Sequence, residues 1–428
     1  MSDIIDRLKH HTTVCAVNNN THWSRYADIT ERYYDEKQYK ENPLYNVLTS
    51  VGIRTPINAN DGIVIPFHNY TVKNWNIYEY DDVKIRHTHF LNPSIIMYNN
   101  MLLCVFRGEN KNFFNEKMLY LGILNEEFSP LKIQLLDTAY VNDDETNMEW
   151  RTKHNGDYLE YPASIGAEDA RLYIRNEKLR IYYGDGFKVY DAELNEYNGT
   201  FRVENIVDYA ESKIYMRENN LKLDNGCWEK NWSIFDNDTD DGLTRWCYSL
   251  NKNEHVVIEC DSRHGTIVNV HRSWCPDIRV WDKKLNGIRG GTPAYLLPGD
   301  DRYRITFFHT NTPVMLDDKN KIRLYYTGYY IFENKEPYRV VVVGKSPLIS
   351  PSVFPPNIPT PAAGSNQPTL VTFPAGAIYR SELNGWFLSY GFNDYQCRVT
   401  FVHNEFLKFP DDYKCQTSSC PFLSSHRE

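Results

Sequence analysis

From about residue 55 onward the chain is a series of short apolar and aromatic runs, each broken by Asn, Asp, Gly or Pro, and no 3.6-residue hydrophobic period persists. That pattern predicts an all-β domain. The preceding segment differs. SDIIDRLKHH and ITERYYDEKQYKENPLYNVLTSVG carry the charge density and spacing of short helices, which predicts a helical N-terminal extension over 1–54. The β-domain is expected over 55–408, followed by a Ser-rich peripheral tail over 409–428. The Pro-rich stretch 346–368 reads as a long connection inside the domain, because strand patterning resumes at TLVTFPAGAIY.

Within the β-domain one unit recurs: a strand-like run that ends in a small or polar cluster. Its instances are MLLCVFRGE from 101, LRIYYGDG from 179, RWCYSLNK from 245, YRITFFHT from 303 and WFLSYGFND from 386. Spacings of roughly 60 to 80 residues exceed the usual propeller repeat of about 40 to 50. Long insertions between strands account for the excess, and five units predict a five-bladed β-propeller with a pocket on its axis. A pair of packed sheets remains open on pattern alone.

Composition narrows the chemistry. Tyr, Phe and Trp make up 14% of the residues, which fits half-buried strands and also suits sugars, whose C–H faces pack on rings. A net charge of -9 argues against a nucleic-acid binder. No run of 18 apolar residues exists, and the charged start MSDIIDRLKHH does not read as a secretion signal, so a cytoplasmic protein is expected. Nine scattered Cys fit reduced, buried thiols better than a disulfide framework. Without a Cys/His cluster, an H-E-x-x-H or a Ca²⁺ loop, neither a metal nor a cofactor is expected.

Polar groups gather where the recurrent runs end: Arg107 with Glu109, Glu168 with Asp169 and Arg171, Lys230 with Asn231, His309, and Asn393 with Asp394. Converging on one axis, they would form a glycosyl-transfer site of carboxylates, cations and aromatic rings. Cleaving a glycosidic bond needs a proton for the leaving oxygen, and Asp169 is the candidate acid, since it follows two small residues and precedes a strand. Glu168, Asp169 and Arg171 equally read as a structural ion-pair network between blades. Lys230 offers a cation for phosphate and Asn231 an amide for a hydroxyl, or the two belong to an ordinary strand. His309 reads either as a ligand-contacting or as a core histidine, and RGGTPAY (289–295) as a tight turn.

Taken in order, these segments resemble glycoside hydrolase family 130, the β-mannoside phosphorylases and related β-1,2-mannosyltransferases. FLNPSIIMYNNMLLCVFRGE is similar to the family's Asn-Pro segment with its Arg-ended strand, and GAEDARLY to its Glu-Asp-Pro-Arg motif, with Ala170 in place of Pro. EKNWSIFD, RGGTPAYLL, ITFFHT, YYTGYYIFENKEPYRVVVVGKSPLI and VTFPAGAIYRSELNGWFLSYGFND follow in the family's order. The resemblance implies a five-bladed propeller and an inverting reaction at a β-linked mannosyl sugar. Asp169 takes the acid position; Asn92, Arg107 and Asp394 match sugar-contacting positions, and Lys230 and His309 positions near phosphate or acceptor. Where bacterial phosphorylases hold phosphate with an Arg, this chain has SLNKNEHV, with Asn251 and Lys252. The expected partners are a mannoside or other oligosaccharide, with inorganic phosphate or a sugar nucleotide. The expected function is mannosyl transfer or phosphorolysis; a β-mannoside hydrolase, with Glu168, Asp185 or Asp394 activating water, and a catalytically silent glycan-binding propeller are the alternatives.

Overall fold

The computed structural model describes residues 55–59, 62–67, 89–110, 116–136, 138, 167–184, 189–209, 231–235, 241–251, 253–278, 281, 287–315, 321–351, 369–394 and 396–413. The expected N-terminal helices, most of the tail, Lys230 and Asp185 lie outside them.

The described residues form five sheets, the five blades of a propeller. Blade 1 is an antiparallel meander of His89–Tyr98, Met101–Asn110, Glu116–Leu124 and Pro130–Leu135. Blade 2 repeats it with Glu168–Arg175, Lys178–Gly184, Val189–Tyr197 and Thr200–Asp208. Blade 3 comprises Ser233–Phe235, Leu243–Asn251, Glu254–Asp261 and Ile267–Trp274. Blade 4 is larger. Tyr295–Leu297, Asp300–Met315 and Lys321–Glu333 are extended by Val340–Val343 and by short strands that include Ile349–Ser350. Blade 5 comprises Thr372–Arg380, Gly385–Phe392 and Gln396–His403.

The five recurrent runs in the sequence are the second strands of the five blades. Each second strand lies in the interior of its sheet, with neighbouring blades packed against both faces, so apolar side chains are favoured on both. In Gly385–Phe392 every residue is buried.

The N-terminal end of the described chain closes the ring. Ile63–Val64 pairs antiparallel with Arg398 and Val399 as the outermost strand of blade 5, and Ile57–Asn58 runs parallel to Ile349–Ser350 in blade 4. The Pro-rich stretch, expected to be connection throughout, therefore begins with a strand. Residues 409–413 also belong to the packed body, since Tyr303 Oη donates to Asp412 at 2.8 Å and Tyr413 Oη to the Pro298 carbonyl at 2.8 Å.

Each seam between blades carries a hydrogen bond from one blade to the next. Leu172 N–H donates to Ser94 Oγ (3.0 Å) between blades 1 and 2, and Arg175 donates to Thr244 Oγ1 (2.8 Å) between blades 2 and 3. Ala294 N–H donates to the Ile234 carbonyl (2.8 Å) where blade 3 meets blade 4. Ala377 N–H donates to Tyr295 Oη (2.9 Å) between blades 4 and 5, and Ser389 Oγ to the Pro93 carbonyl (2.6 Å) where blade 5 returns to blade 1. Aromatic rings fill the wedges between sheets: Trp246, fully buried, meets Tyr182, Tyr209 and Trp232 edge-on at 5.1–5.7 Å. Cys104, Cys247, Cys260, Cys275 and Cys397 are free, buried thiols, as expected. No helix among the described residues is long and apolar enough to cross a membrane.

Candidate active site

The site is built from irregularities in the inner strands. In blade 1 the ladder slips between Leu91 and Ser94, and Asn92 takes a left-handed backbone (φ 53°). In blade 2 it slips between Glu168 and Arg171, with Asp169 at φ 55°. Asn231, just before the first strand of blade 3, stands at φ 66°. Asn and Asp are the non-glycine residues that adopt this region most readily, and such a bulge re-aims the side chain away from the sheet. A left-handed non-glycine residue stores of order 1–3 kcal/mol, which the surrounding contacts must offset.

Those contacts converge on Asp169. Asn92 Nδ2 donates to Asp169 Oδ1 at 2.6 Å, and Arg107 Nη1 donates to the same oxygen at 3.2 Å and to Glu168 Oε2 at 3.0 Å. The side chains of Arg107, Glu168 and Asp169 are only 10%, 5% and 12% exposed, so this is a desolvated carboxylate–guanidinium–carboxylate arrangement. The sequence-level alternative paired these carboxylates with Arg171. The structure pairs them with Arg107, because Arg171 turns the other way.

Arg171 is fully buried on the axis. Its Nε donates to the Gly291 carbonyl of the segment entering blade 4 at 2.7 Å, and its Nη1 donates to the carbonyls of Asp169 and, at 3.3 Å, Ala170. Its guanidinium carbon lies 4.8 Å from the centre of the Phe373 ring in blade 5. RGGTPAY proves to be a place of close approach, not a tight turn. A Cβ on Gly290 would stand 1.9 Å from the Asn231 carbonyl oxygen, and one on Gly291 would stand 2.3 Å from that of Phe307.

His309 lies on Asp300–Met315, bonded backbone to backbone with Arg289 in both directions (2.9 and 3.1 Å), and its ring packs 4.6 Å from that of Phe373. Burial first, then the guanidinium groups of Arg289 and Arg171, push its imidazole down to about 3, against the opposing charge of Asp169. His309 is therefore a neutral imidazole near neutral pH, and its buried Nδ1 has no hydrogen-bond partner among the described residues. Arg289, beside it, was missed at the sequence level because the neighbouring glycines dominate the motif.

Asp394 follows the second strand of blade 5, half-buried, with φ 50°. The preceding Asn393 is locked to Val371 by two hydrogen bonds of 2.8 and 2.9 Å. Gly391 of the same strand end faces Asn92, for a Cβ there would lie 2.1 Å from Asn92 Oδ1. Strand ends 101–110 and 385–392 thus meet the same group of residues. Between blades 2 and 3 a small cavity of about 20 Å³, partly open to solvent, is bounded by Glu168, Asp169, Arg171, Tyr182, Asn231 and Trp232. Tyr182 and Trp232, both buried, lie within the segments LRIYYGDG and EKNWSIFD, but neither was named as a site residue at the sequence level.

No family model matches the chain, and neither does any curated protein. Among solved structures the fold is similar to a mannose phosphorylase from Leishmania mexicana in complex with phosphate ion, with 11% identity, 88% of this chain and 95% of that one covered, and a TM-score of 0.46. It is also similar to a glycosyl hydrolase from Bacteroides ovatus (16% identity, 84% and 93% covered, TM-score 0.42). A GDP-Man-dependent mannosyltransferase from L. mexicana is a further neighbour (10% identity, 76% and 88% covered, TM-score 0.42).

Proposed function

We propose that this chain is an inverting glycosyl-transferring enzyme acting on β-linked mannosyl sugars, as a mannosyltransferase or mannoside phosphorylase, with Asp169 as its general acid. The observation that carries this is the fixed geometry of Asp169. Two donors from blade 1 converge on its Oδ1, and a cavity opens beside it. The ordered motifs of the sequence support the same assignment.

With Oδ1 occupied by Asn92 and Arg107, a transferable proton belongs on Oδ2. Asp169 then delivers it to the leaving oxygen through a hydroxyl of the mannosyl residue, while the nucleophile attacks the anomeric carbon from the opposite face and the configuration inverts. Asn92, Arg107, Asn231 and Asp394 serve the sugar. Lys230, by its motif, and His309 and Arg289, by their position, serve the phosphate or the diphosphate of a donor. Arg289 supplies a cation in a chain that lacks the phosphate-binding Arg of the bacterial phosphorylases. Transfer is favoured over hydrolysis because Glu168, one candidate to activate water, is engaged by Arg107 at 3.0 Å.

Incubating the protein with mannose 1-phosphate, GDP-mannose and β-mannobioses in turn, and following the products by mass, tests the proposal. Transfer of a mannosyl group from one of these donors supports it. Binding of mannose with no turnover of any donor would instead identify a glycan-binding propeller.

A further inference from the structure

We infer that Arg171 is a positioning residue, a clasp across the propeller axis that holds the Asp169 backbone in its left-handed conformation. The inference rests on the proposed role of Asp169.

The chemistry of Arg171 is unusual for a residue beside a carboxylate site. Its side chain is fully buried, yet among the described residues it forms no ion pair. Its donors go to backbone carbonyls instead: Gly291 on one side of the axis, Asp169 and Ala170 on the other. The third anchor is the face of Phe373, at 4.8 Å. One planar group therefore ties the bulge of blade 2 to blades 4 and 5. A buried guanidinium is costly to desolvate, and hydrogen bonds to three carbonyls and an aromatic face offset part of that cost.

What the clasp holds is the peptide of Asp169. That residue sits at φ 55° where the ladder slips, and its carbonyl, displaced from the ladder by the bulge, is taken up by Arg171 Nη1. Without that donor the bulge can relax towards an extended backbone, which swings the carboxylate away from Asn92 and Arg107. Lysine keeps the charge but not the planar fork, so it cannot serve Gly291 and Asp169 together. Gly291 suits its part because a side chain there would collide with Phe307 and Pro374.

The test is a double-mutant cycle on the full chain, with Arg171→Lys made in the native background and in Asp169→Asn. A residue acting through Asp169 lowers kcat by about 10- to 100-fold in the native background, with KM nearly unchanged, and costs almost nothing more once the acid is gone. Equal losses in both backgrounds would overturn the inference and assign Arg171 to direct substrate or anion binding; no loss in either would overturn it as well. If the native protein turns over no mannosyl donor, the proposed function fails, and the clasp is judged by crystallography. A structure of Arg171→Lys should show residue 169 out of the left-handed region and its bond to Asn92 broken. An unchanged φ and an intact bond would contradict it. Should Arg171→Lys fold poorly, Phe373→Leu, which removes the ring shared by the guanidinium and His309, is judged by crystallography: residue 169 out of the left-handed region with its bond to Asn92 broken supports the clasp, and an unchanged φ and intact bond contradict it.

Discussion

Asn92 Nδ2 lies 2.6 Å from Asp169 Oδ1, a bond between two left-handed residues 77 positions apart in sequence and on neighbouring blades. Each residue occupies the bulge of its own inner strand, so blade packing sets their relation, not local chain geometry. Asn92→Gly keeps the backbone conformation, since glycine adopts a positive φ freely, and removes only the amide. A hydrogen bond to a charged acceptor contributes about 1.5–3 kcal/mol, so kcat should fall by about 10- to 100-fold. Steady-state kinetics beside a melting curve checks this, with the melting temperature expected to move by no more than a few degrees.

Gly391 makes a second prediction from the other side of the same residue. Because a Cβ at 391 would stand 2.1 Å from Asn92 Oδ1 and 3.0 Å from its backbone nitrogen, Gly391→Ala must displace Asn92. Activity should fall at least as far as in Asn92→Gly, with a stability loss of about 1–3 kcal/mol from overpacking. Urea unfolding and turnover on one preparation measure both.

Acid should weaken the fold through its buried histidines. Burial pushes His255, whose Nδ1 contacts the Tyr338 carbonyl at 2.9 Å, down to about 4, and burial with two neighbouring guanidiniums pushes His309 down to about 3. Both values lie below the ordinary 6.5, so the unfolded chain binds these protons first. The stability associated with neutral histidine is complete above about pH 6.5 and is lost as pH falls through 6.5 towards 4 and then 3. For His255 the loss by pH 4 is about 3 kcal/mol. Urea midpoints at pH 7 and pH 5 test this, and His255→Phe should flatten the slope.

Much of the fold was legible because its second strands have buried faces on both sides and so repeat as apolar runs: MLLCVFRGE and WFLSYGFND mark blades 1 and 5 without ambiguity. The first strands were less visible. Ser233–Phe235 and Tyr295–Leu297 are three residues each, too short for any alternation to register. Closure by Ile63–Val64 was hidden for the same reason, two residues pairing with a strand more than 300 positions away. In the site, Asp169 and Glu168 stood out as carboxylates beside small residues, but the ion-pair alternative named Arg171 as their partner, whereas the structure pairs them with Arg107. Arg171 is close in sequence, whereas Arg107 is brought in by blade packing, which no local pattern records. Arg289 and Phe373 were missed because an Arg before glycines and a Phe within a strand have ordinary structural explanations.

The measurement that tests the central claim most directly is turnover and melting temperature of Asp169→Asn. Asparagine tolerates the same left-handed backbone, its carbonyl oxygen can still accept from Asn92 and Arg107, and Glu168 still balances the Arg107 charge at 3.0 Å. The fold and sugar binding should therefore survive while turnover of the mannosyl donor falls by about 10²- to 10⁴-fold, the usual worth of a general acid. Near-normal turnover together with a lowered melting temperature would contradict the assignment and leave Asp169 as one member of a structural ion-pair cluster.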